Sequence, residues 1–221
     1  MNSEQLQEIV TNLRSSRIDL RKQALDKLVA FDAVVAIPIL KELSKEKDFG
    51  LRCWAMMGFK SYQTPESFEF LNQILEQEQD NSVLAEAANS IFEFGEEAIA
   101  PLQDLFDRCD YWLVRHTVVS VLVESEDPQV LLQIIKKAIA DSEQTTKEVG
   151  ILALNRLLKT DLKAEALAIF TDLATAEQCR TRWRTAIALS NGSEPNAKEL
   201  LAQLRQDQNH RVVAAALEQN I

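Results

Sequence analysis

Apolar side chains recur along this chain at helical spacing. Phe68, Leu71, Ile74 and Leu75 share one face of a 3.6-residue period, and Ile99, Leu102, Leu105 and Phe106 repeat the arrangement further on. Thr64-Pro65 and Asp127-Pro128 place a capping side chain before a proline at the first helical position, where the missing N–H costs nothing, so both pairs predict helix starts. A second pattern, with a small residue inside an apolar stretch, returns seven times. It runs through Leu20-Arg21-Lys22-Gln23-Ala24-Leu25, Leu51-Arg52-Cys53-Trp54-Ala55-Met56, Leu84-Ala85-Glu86-Ala87-Ala88-Asn89 and Val114-Arg115-His116-Thr117-Val118-Val119. Val149-Gly150-Ile151-Leu152-Ala153-Leu154, Arg182-Trp183-Arg184-Thr185-Ala186-Ile187 and His210-Arg211-Val212-Val213-Ala214-Ala215 continue it. The markers at 24, 55, 88, 118, 153, 186 and 214 lie 31, 33, 30, 35, 33 and 28 residues apart. A helix pair of this length cannot bury its own apolar face, whereas stacked pairs share a continuous core. The spacing predicts an all-α chain, an α-solenoid of about seven helix pairs, as one repeat domain over 1–221.

Composition supports that class: 5 Gly and 5 Pro in 221 residues are too few for a fold built on tight turns. A net charge of -10 opposes nucleic-acid binding, because phosphate contacts require cations. Dividing the charge by helix refines this. The second helices, predicted over 17–30, 48–60, 80–94, 110–124, 145–159, 177–190 and 207–219, hold 14 basic and 12 acidic residues, and the rest of the chain holds 10 and 22. The excess acid therefore belongs to the first-helix layer. The second helices, expected to line the concave docking face of such an array, are near neutral. Arg180, Arg182 and Arg184 concentrate positive charge in the sixth unit; alternate helical residues point to different sides, so one of the three is expected to face a partner.

Chemistry is sparse. Cys53, Cys109 and Cys179 lie far apart, and with two histidines in the chain no metal-ligand spacing or disulfide framework emerges. No phosphate loop, nucleophile elbow or H-E-x-x-H is present, so no catalytic residue is named. The adjacent pair Glu96-Glu97 reads as a solvated face. The start Met1-Asn2-Ser3-Glu4-Gln5 lacks a signal-peptide pattern, and no apolar run has the length of a membrane span, which gives the expectation of a cytoplasmic protein without membrane insertion.

Proline inside a first helix, in Ala36-Ile37-Pro38-Ile39-Leu40 and Gly95-Glu96-Glu97-Ala98-Ile99-Ala100-Pro101-Leu102, combines with an acidic residue and then Arg at the next helix, as in Asp48 with Arg52 and Asp207 with Arg211. This pattern resembles the HEAT-like repeats of phycobilisome lyases. Over 50–130 the segments Leu51-Arg52, Ala55-Met56-Met57-Gly58, Glu66-Ser67-Phe68, Pro101-Leu102, Trp112-Leu113-Val114-Arg115 and Asp127-Pro128 are similar to the NblB-type (non-bleaching) phycobilisome-degradation family of cyanobacteria. The resemblance implies an Asp/Arg ladder through Arg21, Arg52, Arg115 and Arg211, with Ala85, Gly150 and Trp183 standing where Arg is expected. It implies phycobiliprotein subunits or linker proteins as partners, at phycobilisomes on the thylakoid surface, with the chain a monomer or part of a hetero-complex. It also implies no resident cofactor beyond a transiently bound bilin (phycocyanobilin).

Under that resemblance Trp54, Trp112 and Trp183, near the starts of second helices, either stack on a tetrapyrrole or partner or fill seams between repeats. Asp110 would accept from pyrrole N–H groups or cap a helix, and Arg115, Arg180, Arg182 and Arg184 would pair with carboxylates. Cys53 and Cys109 are open to a thioether-carrier role or to plain packing, and His116 to proton donation or a polar place in the ladder. Three functions stay open: a binding scaffold in phycobilisome degradation or bilin detachment, a bilin lyase of the E/F type, and an adaptor unrelated to phycobilisomes. A HEAT-type DNA glycosylase fits the length but not the charge.

Overall fold

The computed structural model describes residues 3–190 and 194–218; Met1, Asn2 and residue 219, which closes the last predicted second helix, lie outside them. Among the described residues there are fourteen α-helices and no strand. In chain order they are α1 (Ser3–Leu13), α2 (Ile18–Leu28), α3 (Ala33–Leu43), α4 (Phe49–Phe59), α5 (Pro65–Gln77), α6 (Asn81–Ile91) and α7 (Glu96–Arg108). They continue as α8 (Trp112–Leu122), α9 (Pro128–Ala140), α10 (Gln144–Ala153), α11 (Lys163–Ala174), α12 (Cys179–Ser190), α13 (Pro195–Leu204) and α14 (His210–Leu217). The seven predicted pairs are all present, and the fold is all-α, of the α-solenoid class.

The chain divides into two compact units, Met1–Val118 and Val119–Ile221. In the first, α2 contacts α4, α4 packs broadly on α6, and α5 meets α7; in the second, α10 packs on α12, α12 on α14, and α11 on α13. Second helices thus stack on second helices and first on first, as repeat packing requires.

Local chemistry explains the boundaries. Pro65, Pro128 and Pro195 each open a helix, and Thr64 and Asp127 cap theirs through bonds to the backbone N–H of Ser67 and Gln129. Pro38 and Pro101 stand at the sixth position of α3 and α7. Each removes the donor for the carbonyl four residues back, at Val34 and Glu97, and both of those residues are exposed, so water can serve the carbonyls. Gly95 turns the chain into α7 with φ of 65°, a conformation that penalises a Cβ.

The core is aliphatic. Leu28, Ala36, Leu40, Leu43, Ala55, Met56, Phe59 and Leu71 are fully buried in the first unit, and Ile134, Ile135, Ile151, Leu154, Phe170 and Ala186 in the second. Each larger side chain contributes about 1.5–3 kcal/mol on removal from water. Gly150 belongs to this packing and not to the ladder: a Cβ there would meet the Ala138 Cβ at 2.7 Å and the Ile135 carbonyl oxygen at 3.3 Å, so α9 and α10 cross where only hydrogen fits. Neighbouring repeats also close each other's helix ends. Tyr62 Oη donates to the Leu28 carbonyl at 2.7 Å, Ser90 Oγ to Met56 at 2.8 Å and Arg108 Nη2 to Leu75 at 2.8 Å. Carbonyls in the last turns of α2, α4 and α5 thereby receive donors from the following repeat.

Candidate functional site

Of the expected ladder arginines, Arg52 ties its repeat to the next, whereas Arg21 donates Nε to the Ser15 carbonyl of its own loop; the register of the clamp is set by distance from the residue that precedes each second helix. Four positions after Asp48, Arg52 sends Nη1 back to the carbonyls of Glu46 and Lys47, at 3.1 Å each. Its Nε and Nη2 grip Glu78 of the next repeat at 2.9 and 3.2 Å. The same clamp recurs four positions after Gln178: Arg182 Nη1 donates to the carbonyls of Ala176 (2.7 Å) and Glu177 (2.9 Å), while Nε and Nη2 hold Asp207 at 2.6 and 3.0 Å. Arg182, and not Trp183, therefore occupies the ladder position, because α12 begins at Cys179. Arg211 also stands outside the ladder, two positions after Asn209, where it is exposed.

Each clamp orders the next helix start. The Glu78 carboxylate also accepts from the backbone N–H of Asp80, and Asp80 accepts from Ser82 N–H. Asp207 accepts from Asn209 N–H, and Asn209 from Arg211 N–H. At Glu78 burial pushes the carboxyl pKa upward, but the Arg52 and backbone hydrogen bonds outweigh it and hold the group below the ordinary carboxylate range. Asp207 is lowered chiefly by its hydrogen bond from Arg182.

The other two arginines of the cluster converge on one acid. Glu148, on α10 and 5% exposed, accepts from Arg180 Nε, from Arg184 Nε at 2.6 Å and from Gln144 Nε2 at 3.1 Å. Burial raises its pKa, and these donors more than reverse the effect, so it stays ionised. Arg184 in turn lies over the Trp183 indole, 4.5 Å from guanidinium carbon to ring centroid. Beside this assembly, Cys179, Arg180, Trp183, Asn209 and Arg211 line a groove of about 470 Å³ between α12 and α14.

The remaining predicted residues belong to the first unit. Trp54 is half-buried on α4. Trp112, the first residue of α8, is 44% exposed and stands against Tyr111, with ring centroids 6.2 Å apart. Arg115, largely buried, stands 3.9 Å from the fully exposed Asp110. Of the eight residues named from sequence, Arg180, Arg184 and Trp183 thus form one assembly around Glu148, Arg182 is engaged with Asp207, and Arg115 and Asp110 make a looser pair. Sequence reasoning missed Glu148, Asn209 and the place of Arg211 in the groove. The usable signal was register, since Arg180 and Arg211 both stand two positions after the residue preceding their helices.

This arrangement can hold an anionic or flat group between guanidinium and indole surfaces. Cys53 offers little nucleophilicity: burial, with Glu86 and Asp80 nearby, pushes its thiol up to about 11, so almost no thiolate exists there at neutral pH. Cys109 is half-buried, and Cys179 is exposed in the groove. Among the described residues no hydrogen bond joins a histidine to a hydroxyl or thiol, no cluster has the makings of a metal site, and no helix is long and apolar enough to cross a membrane. His116 is half-buried on α8, with a buried Nδ1.

Residues 38–123 match the HEAT repeats family. No curated protein sequence matches the chain. Solved structures match its fold. YibA of Escherichia coli is similar with a TM-score of 0.66 and 13% identity, over 97% of this chain and 80% of that one. The complex of CpcE and CpcF of phycocyanin lyase from Nostoc sp. PCC7120 gives 0.51 and 14%, over 95% and 91%. The karyopherin Kap121p bound to the extreme C-terminus of the protein phosphatase Cdc14p gives 0.52 and 18%, over 98% of this chain but 29% of the karyopherin. Such identities speak to fold, and all three share stacked helices.

Proposed function

We propose that this chain is a scaffold that binds phycobiliprotein surfaces and takes part in phycobilisome degradation, acting in the cytoplasm at the phycobilisome and doing no chemistry of its own. The observation that carries the binding role is the groove between α12 and α14, where Trp183 lies among Arg180, Arg184 and Arg211 and the exposed Cys179 belongs to the same lining. The resemblance of residues 50–130 to phycobilisome-degradation proteins supports the choice of partner. So does the likeness of the fold to a phycocyanin lyase. That likeness also favours a second reading, a bilin lyase of the E/F type, in which the same guanidinium and indole groups would hold a tetrapyrrole instead of a protein.

Mixing the purified chain with phycocyanin, and following size-exclusion elution and visible absorbance together, separates the two. Co-elution with an unchanged spectrum is the expected result. Loss of the visible band, with bilin released or transferred to this chain, would establish the lyase reading. Separate elution with an unchanged spectrum would sink both.

A further inference from the structure

The seam between α12 and α14 carries positive charge that the ladder does not use. These two helices hold Arg180, Arg182, Arg184 and Arg211 and no acidic residue. Two carboxylates answer them: Asp207 is taken by Arg182, and buried Glu148 is shared by Arg180 and Arg184. Four guanidiniums against two carboxylates leave two positive charges. No ion pair reaches Arg211 among the described residues, and the Arg180 side chain is 57% exposed despite its bond to Glu148. Both line the groove, in the same register on consecutive repeats, with Trp183 in its wall.

Three features select the occupant. The excess charge is local, and at physiological salt it is felt within a Debye length of about 8 Å, so the overall acidity of the chain does not cancel it for a ligand in contact. Guanidinium forks suit carboxylates, which they bind through paired hydrogen bonds. The groove is partly open to solvent and brings Arg180, Arg211 and Trp183 into one lining, so an extended segment lying across it can meet both cations and the indole. We propose that the groove formed by Arg180, Trp183, Asn209 and Arg211 docks an acidic segment of a partner protein, with Arg211 as its principal anion-binding residue and Trp183 as the apolar wall. This rests on the reading of the chain as a binding scaffold, and it holds whichever protein supplies the segment.

The test uses the full chain and a fluorescein-labelled octaglutamate peptide, with octaglutamine as the uncharged control, followed by anisotropy at low and high salt. Octaglutamate is expected to bind and octaglutamine not, with affinity falling as salt rises. Arg211→Ala should weaken binding about tenfold, as for loss of a charge-assisted bidentate contact. Lys22→Ala, which removes an exposed cation of the first unit, should change nothing. Occupancy has a second readout, because Cys179 is the exposed cysteine and lines the groove: octaglutamate should slow its alkylation by iodoacetamide, measured by mass spectrometry. Equal losses from Arg211→Ala and Lys22→Ala would reduce the effect to diffuse attraction and overturn the proposal. Protection of Cys179 by free phycocyanobilin but not by octaglutamate would also overturn it, in favour of a small-molecule pocket. Arg211 is exposed, so circular dichroism of Arg211→Ala should match the parent chain. Octaglutamate binding without phycocyanin co-elution would refute the phycobiliprotein reading and leave the docking site standing, and the converse result would do the opposite.

Discussion

The seam between α4 and α6 in the first unit and the seam between α12 and α14 in the second are built on the same joint and finished differently. Both have an arginine that ties its own loop to the next repeat, Arg52 through Glu78 and Arg182 through Asp207. Both then pass the signal to a capping residue, Asp80 or Asn209. Around that joint the positions diverge. Where the second unit has Arg180, Trp183, Asn209 and Arg211, counting from the helix starts gives Gly50, Cys53, Asp80 and Ser82 in the first. The comparison separates two uses of arginine that composition alone merges. Four positions into the register, arginine is a structural fastener; two positions in, it faces the groove.

The largest expected effect tests the shared half of the comparison. Arg52→Ala or Arg182→Ala leaves a mostly buried carboxylate without its partner and frees two loop carbonyls, and each should cost about 3 kcal/mol in chemical denaturation. Arg182→Ala is therefore a stability variant before it is a binding variant. If it left stability intact while abolishing partner binding, the equivalence of the two joints would fail. Next in size is Glu148→Gln, confined to the second unit. It removes the counter-charge shared by Arg180 and Arg184 and should lower stability by about 2 kcal/mol, with loss of the ordered stacking of Arg184 on Trp183 visible in the tryptophan fluorescence.

Acid should act on both seams. Glu78, Asp207 and Glu148 all have folded pKa values below their ordinary ones, 4.5 for Glu and 3.8 for Asp. A carboxyl depressed in the folded state contributes stability that is fully present above its unfolded pKa and is lost as pH falls through its folded value. Thermal stability should accordingly hold above about pH 5 and decline below it. Arg52→Ala should flatten the part of that decline due to Glu78, and a profile unchanged by the substitution would detach Glu78 from the ladder. The mildest contrast is chemical: at neutral pH iodoacetamide should modify Cys179 readily and Cys53 hardly at all, with Cys53 gaining reactivity as pH approaches about 11. Equal rates would show that the two seams do not differ in access or in thiol ionisation.

How far the sequence carried the reading depended on whether a signal was local. Helix pairs, proline-marked starts and the apolar faces follow from spacing within a dozen residues, and all seven pairs stand where periodicity places them. The ladder was only partly legible. Its acids lie 26 residues beyond Arg52 and 25 beyond Arg182, across a whole helix, and a marker taken from small residues misplaced the register by one at Trp183. Gly150 reads in sequence as a missing arginine and in space as a helix crossing, because the contact that decides it, with Ala138, belongs to another helix. Glu148 gives no warning, since its arginine partners lie 32 and 36 residues away. Arg211 looks like a ladder residue in sequence because its neighbours there look like ladder neighbours.

The clamps also count. An arginine fixed to carbonyls of its own loop and to an acid in the following loop restricts the number of residues between them, and the two clamps span 26 and 25. An insertion of several residues would shift the acid off its mark and misplace the cap that depends on it. Insertion or loss of a whole repeat would leave every remaining joint correctly spaced. Change in the length of such a chain is thereby channelled into steps of about thirty residues, which makes the repeat the unit of its evolution as well as of its packing.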